Sequence, residues 1–208
     1  MSHIRLHIIA SIVVMACLWS ACHSGSGRTS VLKVPVELLH NGDLAFRCGT
    51  SIESHIVTGI DGENGPFSHI GIVVNVGGKW FVAHAVPGEN QPNEPEYLKL
   101  DPISVYYGSD RAKLGAIMRV TEDSATCATA TAYALWAVDA RKEFDNAFDW
   151  EDTTLLYCTE LVQQAYLHSG IDLVQESHTD VGAAPFKGTY VFPSDIASNK
   201  SLTLICTF

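Results

Sequence analysis

An α+β fold, an antiparallel sheet packed with helices, is what this sequence predicts, and three observations carry the prediction. Two β-rich runs, Ser68–Val76 and Lys79–Val86, flank Gly77-Gly78. Paired runs joined by Gly-Gly form a hairpin. Two helical stretches, Thr121–Ala140 and Tyr157–Leu167, follow in a block separate from most of the strands. Strands and helices segregated in this way build α+β layers, whereas a doubly wound parallel sheet alternates them.

The remaining elements follow in order. Asn41-Gly42-Asp43 reads as a turn and Leu44-Ala45-Phe46 as a strand start. Gly49–Phe67 is rich in glycine and reads as a surface loop with one helical turn near Ile52–Val57. It lies just before His69, where it can cover a cleft. Its acidic spacing does not match a calcium loop. Tyr97–Leu100 and Ala112–Val120 are further strands, and the Ser124 region caps the first long helix. Phe144–Asp152 is an acidic, aromatic connector. In Tyr157–Leu167, Leu161, Val162, Ala165 and Tyr166 recur at helical spacing, with Gly170 beyond the end. Val191–Asp195 starts a short turn or helix, and Ser201–Thr207 is a last strand.

Composition narrows the function. The 208 residues are 47% hydrophobic and 17% charged, which suits one packed domain and excludes a disordered chain. A net charge of −10 without a basic stripe argues against nucleic-acid binding, which needs clustered Lys and Arg. Six cysteines are too few for a disulfide scaffold of this length.

The first 21 residues read as a leader. Arg5 precedes the apolar run Ile8–Trp19, which is shorter than the roughly 20 residues a membrane span needs but suits a secretory signal. Ser20-Ala21-Cys22 then resembles a bacterial lipoprotein processing site, with Cys22 the acylated residue and Cys17 a second candidate. Residues 22–35 form a Gly/Ser-rich tether and 36–208 the folded domain. The expected location is therefore the cell envelope, held to the membrane by lipid and facing the periplasm.

Cys158 stands in the first turn of a helix. Unpaired amide N–H groups and the positive end of the helix dipole favour a thiolate there, and the same amides can receive an oxyanion. Most helix-start cysteines are nonetheless buried core residues, so a base must be found elsewhere. A two-residue turn at Gly77-Gly78 pairs Val76 with Lys79 and sets Gly71 opposite His84. His69 and His84 then share a face as diagonal neighbours, close enough for ring side chains to meet, and Gly71 leaves room between them. A three-residue turn would send His84 to the other face. Nucleophile, base and orienting group make a triad. His55 repeats the Ser-His-Ile of His69 but lies in the glycine-rich loop. His40, His168 and His178 sit near turns or element ends.

At this point the residues resemble a known family. Gly42-Asp43-Leu44-Ala45-Phe46, Ser68-His69-Ile70-Gly71-Ile72-Val73, Phe144-Asp145 with Phe148, and Tyr157-Cys158-Thr159-Glu160-Leu161-Val162 are similar to the permuted NlpC/P60 group of papain-like hydrolases, the YiiX/YaeF-like amidases. The resemblance spans Leu38 to Ile196. It implies a circularly permuted papain-like fold, with Cys158 as nucleophile and His69 as base. It implies a third, orienting residue that is often Glu in such sequences and here falls on His84. Tyr157 is placed beside the oxyanion site or cleft, with packing under the helix start as its plainer role. Asp43 is a turn residue that supports the site.

The expected function is hydrolysis of an amide bond in a small amide, a peptide or a lipid-linked substrate, through an acyl-enzyme on Cys158. No metal or other cofactor is expected, although His69, His84 and Cys158 together are also a conceivable zinc set. The competing expectation is an inactive envelope lipoprotein holding an amide or acyl ligand in the same cleft. Cys48, Cys127 and Cys206 are expected to be buried, with a bridge between one pair as the alternative. Trp80, Phe81, Tyr106, Tyr107, Trp136 and Trp150 are expected in the core or cleft wall.

Overall fold

The computed structural model describes residues 32–89, 94–175, 177–182 and 184–208. The leader 1–21, Cys17, Cys22 and the tether up to residue 31 lie outside these residues.

Eight strands and five α-helices follow one another along the described chain. They are β1 (Leu44–Gly49), α1 (Ile52–Asp61), β2 (His69–Val76), β3 (Lys79–His84), β4 (Lys99–Pro102), α2 (Ile103–Tyr106), β5 (Ala112–Arg119), α3 (Ser124–Asp139), α4 (Cys158–Leu167), β6 (Thr179–Val181), β7 (Gly188–Tyr190), α5 (Pro193–Ala197) and β8 (Thr203–Thr207). Six strands form one antiparallel sheet in the order β4-β3-β2-β1-β5-β8, while β6 and β7 pair separately. The fold is α+β, as the separated blocks of strands and helices predict.

Gly77 and Gly78 both adopt positive φ, 58° and 81°. These are the values a two-residue hairpin turn requires and that only glycine adopts without strain. The turn sets Val76 opposite Lys79 and Ile72 opposite Ala83, the register predicted above.

Alternation divides the core between the two faces of the sheet. Leu44, Phe46, Ile70 and Ile72 face α3 and α4, whose Ala130, Ala134, Val162, Ala165 and Tyr166 are buried against them. The small alanines of α3 let that helix approach closely. Ala45, Val73, Val82 and Ile117 face the other way and are covered by Tyr106, Tyr107 and Ile103. Tyr106 and Tyr107 anchor this cover by donating their hydroxyls to the carbonyls of Ala45 and Phe46.

Several elements differ from the sequence reading. The segment after Gly49 is a full helix, α1, not a loop with one turn. Ser51 caps it by accepting the Ser54 N–H, Glu53 lies in its first turn and Gly62 ends it at φ 65°. Asp61 is its only buried residue, and although Ile52, Ile56, Val57 and Ile60 recur at helical spacing, the glycines in and around the segment favour a loop reading. The cap of α3 does fall in the expected Ser124 region, where Asp123 accepts the Thr126 N–H. The three-residue strands β6 and β7 are too short to show a period. Trp136 is half-exposed on α3, outside the core, with the Lys142 ammonium over its ring. Cys127 is buried, Cys48 and Cys206 are half-buried, and all three thiols are free.

Candidate active site

β2 begins at His69 and β3 ends at His84, so both lie at the open end of the hairpin, away from its turn. The register continues into the neighbours. Arg47 of β1 pairs directly with His69, and Lys99 of β4 pairs with His84. Asp101, paired with Val82, is therefore the diagonal neighbour of His84, as His84 is of His69. Arg47, His69, His84 and Asp101 thus line up on one face across four adjacent strands.

The contacts follow this line. His69 Nε2 and His84 Nδ1 share a hydrogen bond of 2.9 Å. His84 Nε2 lies 3.3 Å from Asp101 Oδ2. Asp101 Oδ2 accepts from Arg111 Nη1 at 3.0 Å, and the same nitrogen donates to Glu89 Oε2 at 2.7 Å. Glu89 Oε1 then accepts from Arg47 Nη2 at 2.6 Å, returning the chain of charges to the strand beside His69. The Tyr106 ring lies under both imidazoles, with its centroid 5.7 Å from that of His69 and 4.9 Å from that of His84. Arg47 lies over the same ring at 4.5 Å and donates to the Tyr106 carbonyl.

Cys158 is the first residue of α4 and packs with the Ile70 and Ile72 face of the sheet. Glu160 holds the helix start by accepting the Tyr157 N–H through Oε2 at 3.0 Å, the carboxylate half of a capping box. Thr159 ties the same turn to the Val191 carbonyl. Cys158, His69 and Arg47 together line a cleft of about 280 Å³, with Ser68, Glu89 and Phe148 among its other walls. A cleft of this size suits one end of an acyl or peptidyl group. Ser54 and Val57 of α1, with the capping Ser51, close one side of it.

The electrostatics of the resting site differ from the activated thiolate that the helix start suggests. Although Cys158 keeps some exposed surface, burial pushes its thiol up to about 11, against the pull of the amide N–H groups of Ile70, Thr159 and Cys158 itself. Burial, then the Arg47 guanidinium, holds His69 well below the ordinary imidazole value. Both shifts favour a thiol and a neutral imidazole over an ion pair. His84 is lowered as well, by burial and against the raising effect of the Asp101 hydrogen bond. For Asp101 burial acts upward, but the His84 hydrogen bond and the charges of His84 and Arg111 bring it below the usual carboxylate value. Burial raises the Glu160 carboxyl to about 8, against the Tyr157 N–H it accepts, and any charge it carries pushes the Cys158 thiol up further.

Tyr157 packs under the helix start and is not part of the cleft wall. It is buried among Phe144, Leu156 and Leu161, with its ring against Phe148 and Trp150. This is the plainer of its two expected roles, and the reason is rotational: the side chain before the first helical residue turns inward while its backbone precedes the thiol. Asp43 lies outside the cleft, in a buried ion pair with Arg119. Among the described residues no group of three His, Cys, Asp or Glu side chains is placed to hold a metal ion. The two imidazoles spend their facing nitrogens on each other.

The sequence matches the family of permuted papain-like amidases, the YaeF/YiiX or C92 family, over residues 38–206. The chain belongs to this family. Its fold is similar to the crystal structure of the metalloprotein yiiX from Escherichia coli O157:H7, with a TM-score of 0.65 and 18% identity over 81% of this chain and 97% of that one. No curated protein matches the sequence. The family is a permuted one, and here the strand of His69 precedes the helix of Cys158. Membership does not account for Asp101, Glu89, Arg111 and Arg47, which the sequence reading missed. His84 and Asp101 are 17 residues apart, and Arg47 and Glu89 are 42 apart. Only the long-range pairing of β1 and β4 with the hairpin brings Arg47 and Asp101 to the histidines.

Proposed function

We propose that this amidase-family chain is a cysteine hydrolase that cleaves an amide bond through an acyl-enzyme on Cys158, with His69 as the base and His84 orienting it. The observation that carries the reading is the His69–His84 hydrogen bond beside a helix-start cysteine in one cleft. Neutral His69 accepts the thiol proton while the sulfur attacks the carbonyl carbon. That is general-base activation, not a preformed ion pair. The Cys158 and Thr159 amides at the start of α4 face the developing oxyanion. The imidazolium then protonates the leaving amine, and a water deprotonated by His69 releases the acyl group. Carried over from the sequence, the setting we propose is the cell envelope, with Cys22 lipidated and the substrate a small, peptidyl or lipid-linked amide.

The test is acylation of the full chain by p-nitrophenyl acetate, with the acetylated residue located by mass spectrometry. The acetyl group is expected on Cys158. His69→Ala should slow its arrival by roughly 10²–10⁴-fold, the usual contribution of a positioned base. Acetylation elsewhere, or an unchanged rate in His69→Ala, would overturn the reading and favour a ligand-holding lipoprotein.

The resting protonation gives a second prediction. A thiol raised to about 11 stays protonated at pH 7, and an imidazole held well below 6.5 stays neutral. Ultraviolet thiolate absorbance, taken as wild type minus Cys158→Ser, is therefore expected to be absent at pH 7 and to appear only on alkaline titration. A full thiolate signal at neutral pH would establish an ion pair instead.

A further inference from the structure

Two imidazoles in series have a weakness that a carboxylate in the third position would not. A carboxylate only accepts, so it fixes the proton on the base. A neutral histidine can donate from either nitrogen, so it fixes nothing until something fixes it. If His84 carries its proton on Nδ1, it donates to His69 Nε2, His69 is protonated on Nδ1, and the nitrogen left for the thiol holds a hydrogen.

We infer that Asp101 is the positioning residue that sets both tautomers, making the arrangement a Cys-His-His-Asp relay. The inference rests on the proposed role of Cys158 and His69. Asp101 Oδ2 lies 3.3 Å from His84 Nε2, and as a carboxylate it can only accept there. It therefore selects the Nε2–H form of His84. His84 Nδ1 is then a lone pair, 2.9 Å from His69 Nε2, which must be the donor. His69 Nδ1 is left without a hydrogen, ready to receive the thiol proton. When it does, the positive charge is spread toward Asp101 through two hydrogen bonds.

The surroundings hold Asp101 to this task. Arg111 donates to Oδ2 at 3.0 Å and keeps the carboxyl ionised and aimed. Arg111 is itself held by Glu89, and Glu89 by Arg47. Arg47 of β1, Asp101 of β4, Glu89 after β3 and Arg111 before β5 thus form one linked set of charges beside the imidazole pair. His84 is fully buried with no surface open to solvent, so water does not replace the carboxylate as the acceptor. The diagonal register that seats His84 beside His69 is repeated one strand on to seat Asp101 beside His84.

The experiment is long-range proton–nitrogen NMR of the full chain labelled with nitrogen-15 in the histidine rings. In the wild type, His84 Nδ1 and His69 Nδ1 should give the shifts of unprotonated nitrogens, and both Nε2 atoms those of protonated ones. Finding His84 protonated on Nδ1 overturns the proposal with no variant needed. In Asp101→Asn, His84 should shift toward the Nδ1–H form, and acetylation of Cys158 by p-nitrophenyl acetate should slow on the order of tenfold or more. Asp101→Glu should recover the wild-type tautomer and part of the rate. An unchanged tautomer and rate in Asp101→Asn would also overturn it. Failure of the hydrolase reading is separate: Cys158 then takes no acetyl group in the wild type, whatever the ring nitrogens show.

Discussion

Replacing Gly71 by alanine is expected to slow acylation of Cys158 by about 100-fold, although Gly71 touches neither the thiol nor the substrate. Gly71 lies between the two histidines on the face they share. A Cβ there would stand 2.5 Å from Val82 Cγ1, 2.8 Å from the Ala83 carbonyl and 2.9 Å from His84 Cβ. None of these is the free end of a flexible side chain. The methyl can be admitted only by moving β3 away from β2 at the residue that carries His84. Overpacking of this kind costs about 1–3 kcal/mol of stability. The larger effect is on geometry. The His69–His84 bond is 2.9 Å and the Asp101 contact is already 3.3 Å, so a displacement near 1 Å breaks the alignment, and misplacement of that size costs about 100-fold. The measurement is the acetylation rate of folded Gly71→Ala beside Gly59→Ala, where no heavy atom lies within 4 Å of the added carbon. A Gly71→Ala rate within threefold of the wild type would show that the hairpin absorbs the methyl and that the spacing of the histidines is not set there.

Gly71 also shows how far the site could be read from the sequence. Three things were legible: a two-residue turn, a pair of histidines made diagonal by that turn, and a cysteine opening a helix. Each is a local signal. The Gly77-Gly78 turn fixes the register of the residues on either side without help from the rest of the chain. The linked set of charges was not legible, because no local pattern announces it. Arg47 looks like a solvated charge within Leu44-Ala45-Phe46-Arg47, and Asp101 like the end of a short polar strand. Each gains meaning only when β1 and β4 pair with the hairpin. Tyr106 could be placed in the core by type, but not beneath the imidazoles, since α2 is a single turn. The α1 helix was missed for a related reason. It lies on the surface, so little tertiary packing marks it, and Gly59 within it together with Gly49, Gly62 and Gly65 around it outweighed the cap and the first-turn acid.

The departure at His84 consequently has a different physical meaning once β4 is in place. An orienting histidine without a partner is a weak substitute for a carboxylate, because its tautomer is free and its charge, if any, opposes that of the base. With Asp101 behind it, the negative charge is present but one imidazole farther away. The imidazolium formed on His69 is stabilised less directly than by an adjacent carboxylate. In exchange, the carboxylate is kept out of contact with the base and the thiol. It therefore does not raise the resting imidazole, which burial and Arg47 hold low. A neutral base facing a neutral thiol is the state that follows.

The largest loss of stability is expected far from this chemistry, at Asp43. Its side chain is 1% exposed and takes Arg119 in a two-point grip, Nε to Oδ1 at 2.7 Å and Nη2 to Oδ2 at 3.0 Å, while Oδ2 also accepts the His40 N–H. Arg119 reaches on to the Leu38 carbonyl and to Glu122. This pair joins the end of β5 to the turn that launches β1, so it fixes where the strand carrying Arg47 begins. Asp43→Ala leaves a guanidinium beside an empty, desolvated slot. Removing one partner of a buried pair costs about 3–5 kcal/mol, which for a domain of this size lowers the melting temperature by roughly 10 °C. Replacing both, as Asp43→Leu with Arg119→Met, should cost less than the single change, because no charge is then left buried alone. Urea unfolding of the three proteins measures this directly. A single-variant loss below about 1 kcal/mol would mean that water reaches Arg119 and that the pair behaves as a surface bridge. The molecules of Asp43→Ala that remain folded should still acetylate Cys158 at close to the wild-type rate. That outcome would separate the residue that starts the strand from the residues at its far end that do the chemistry.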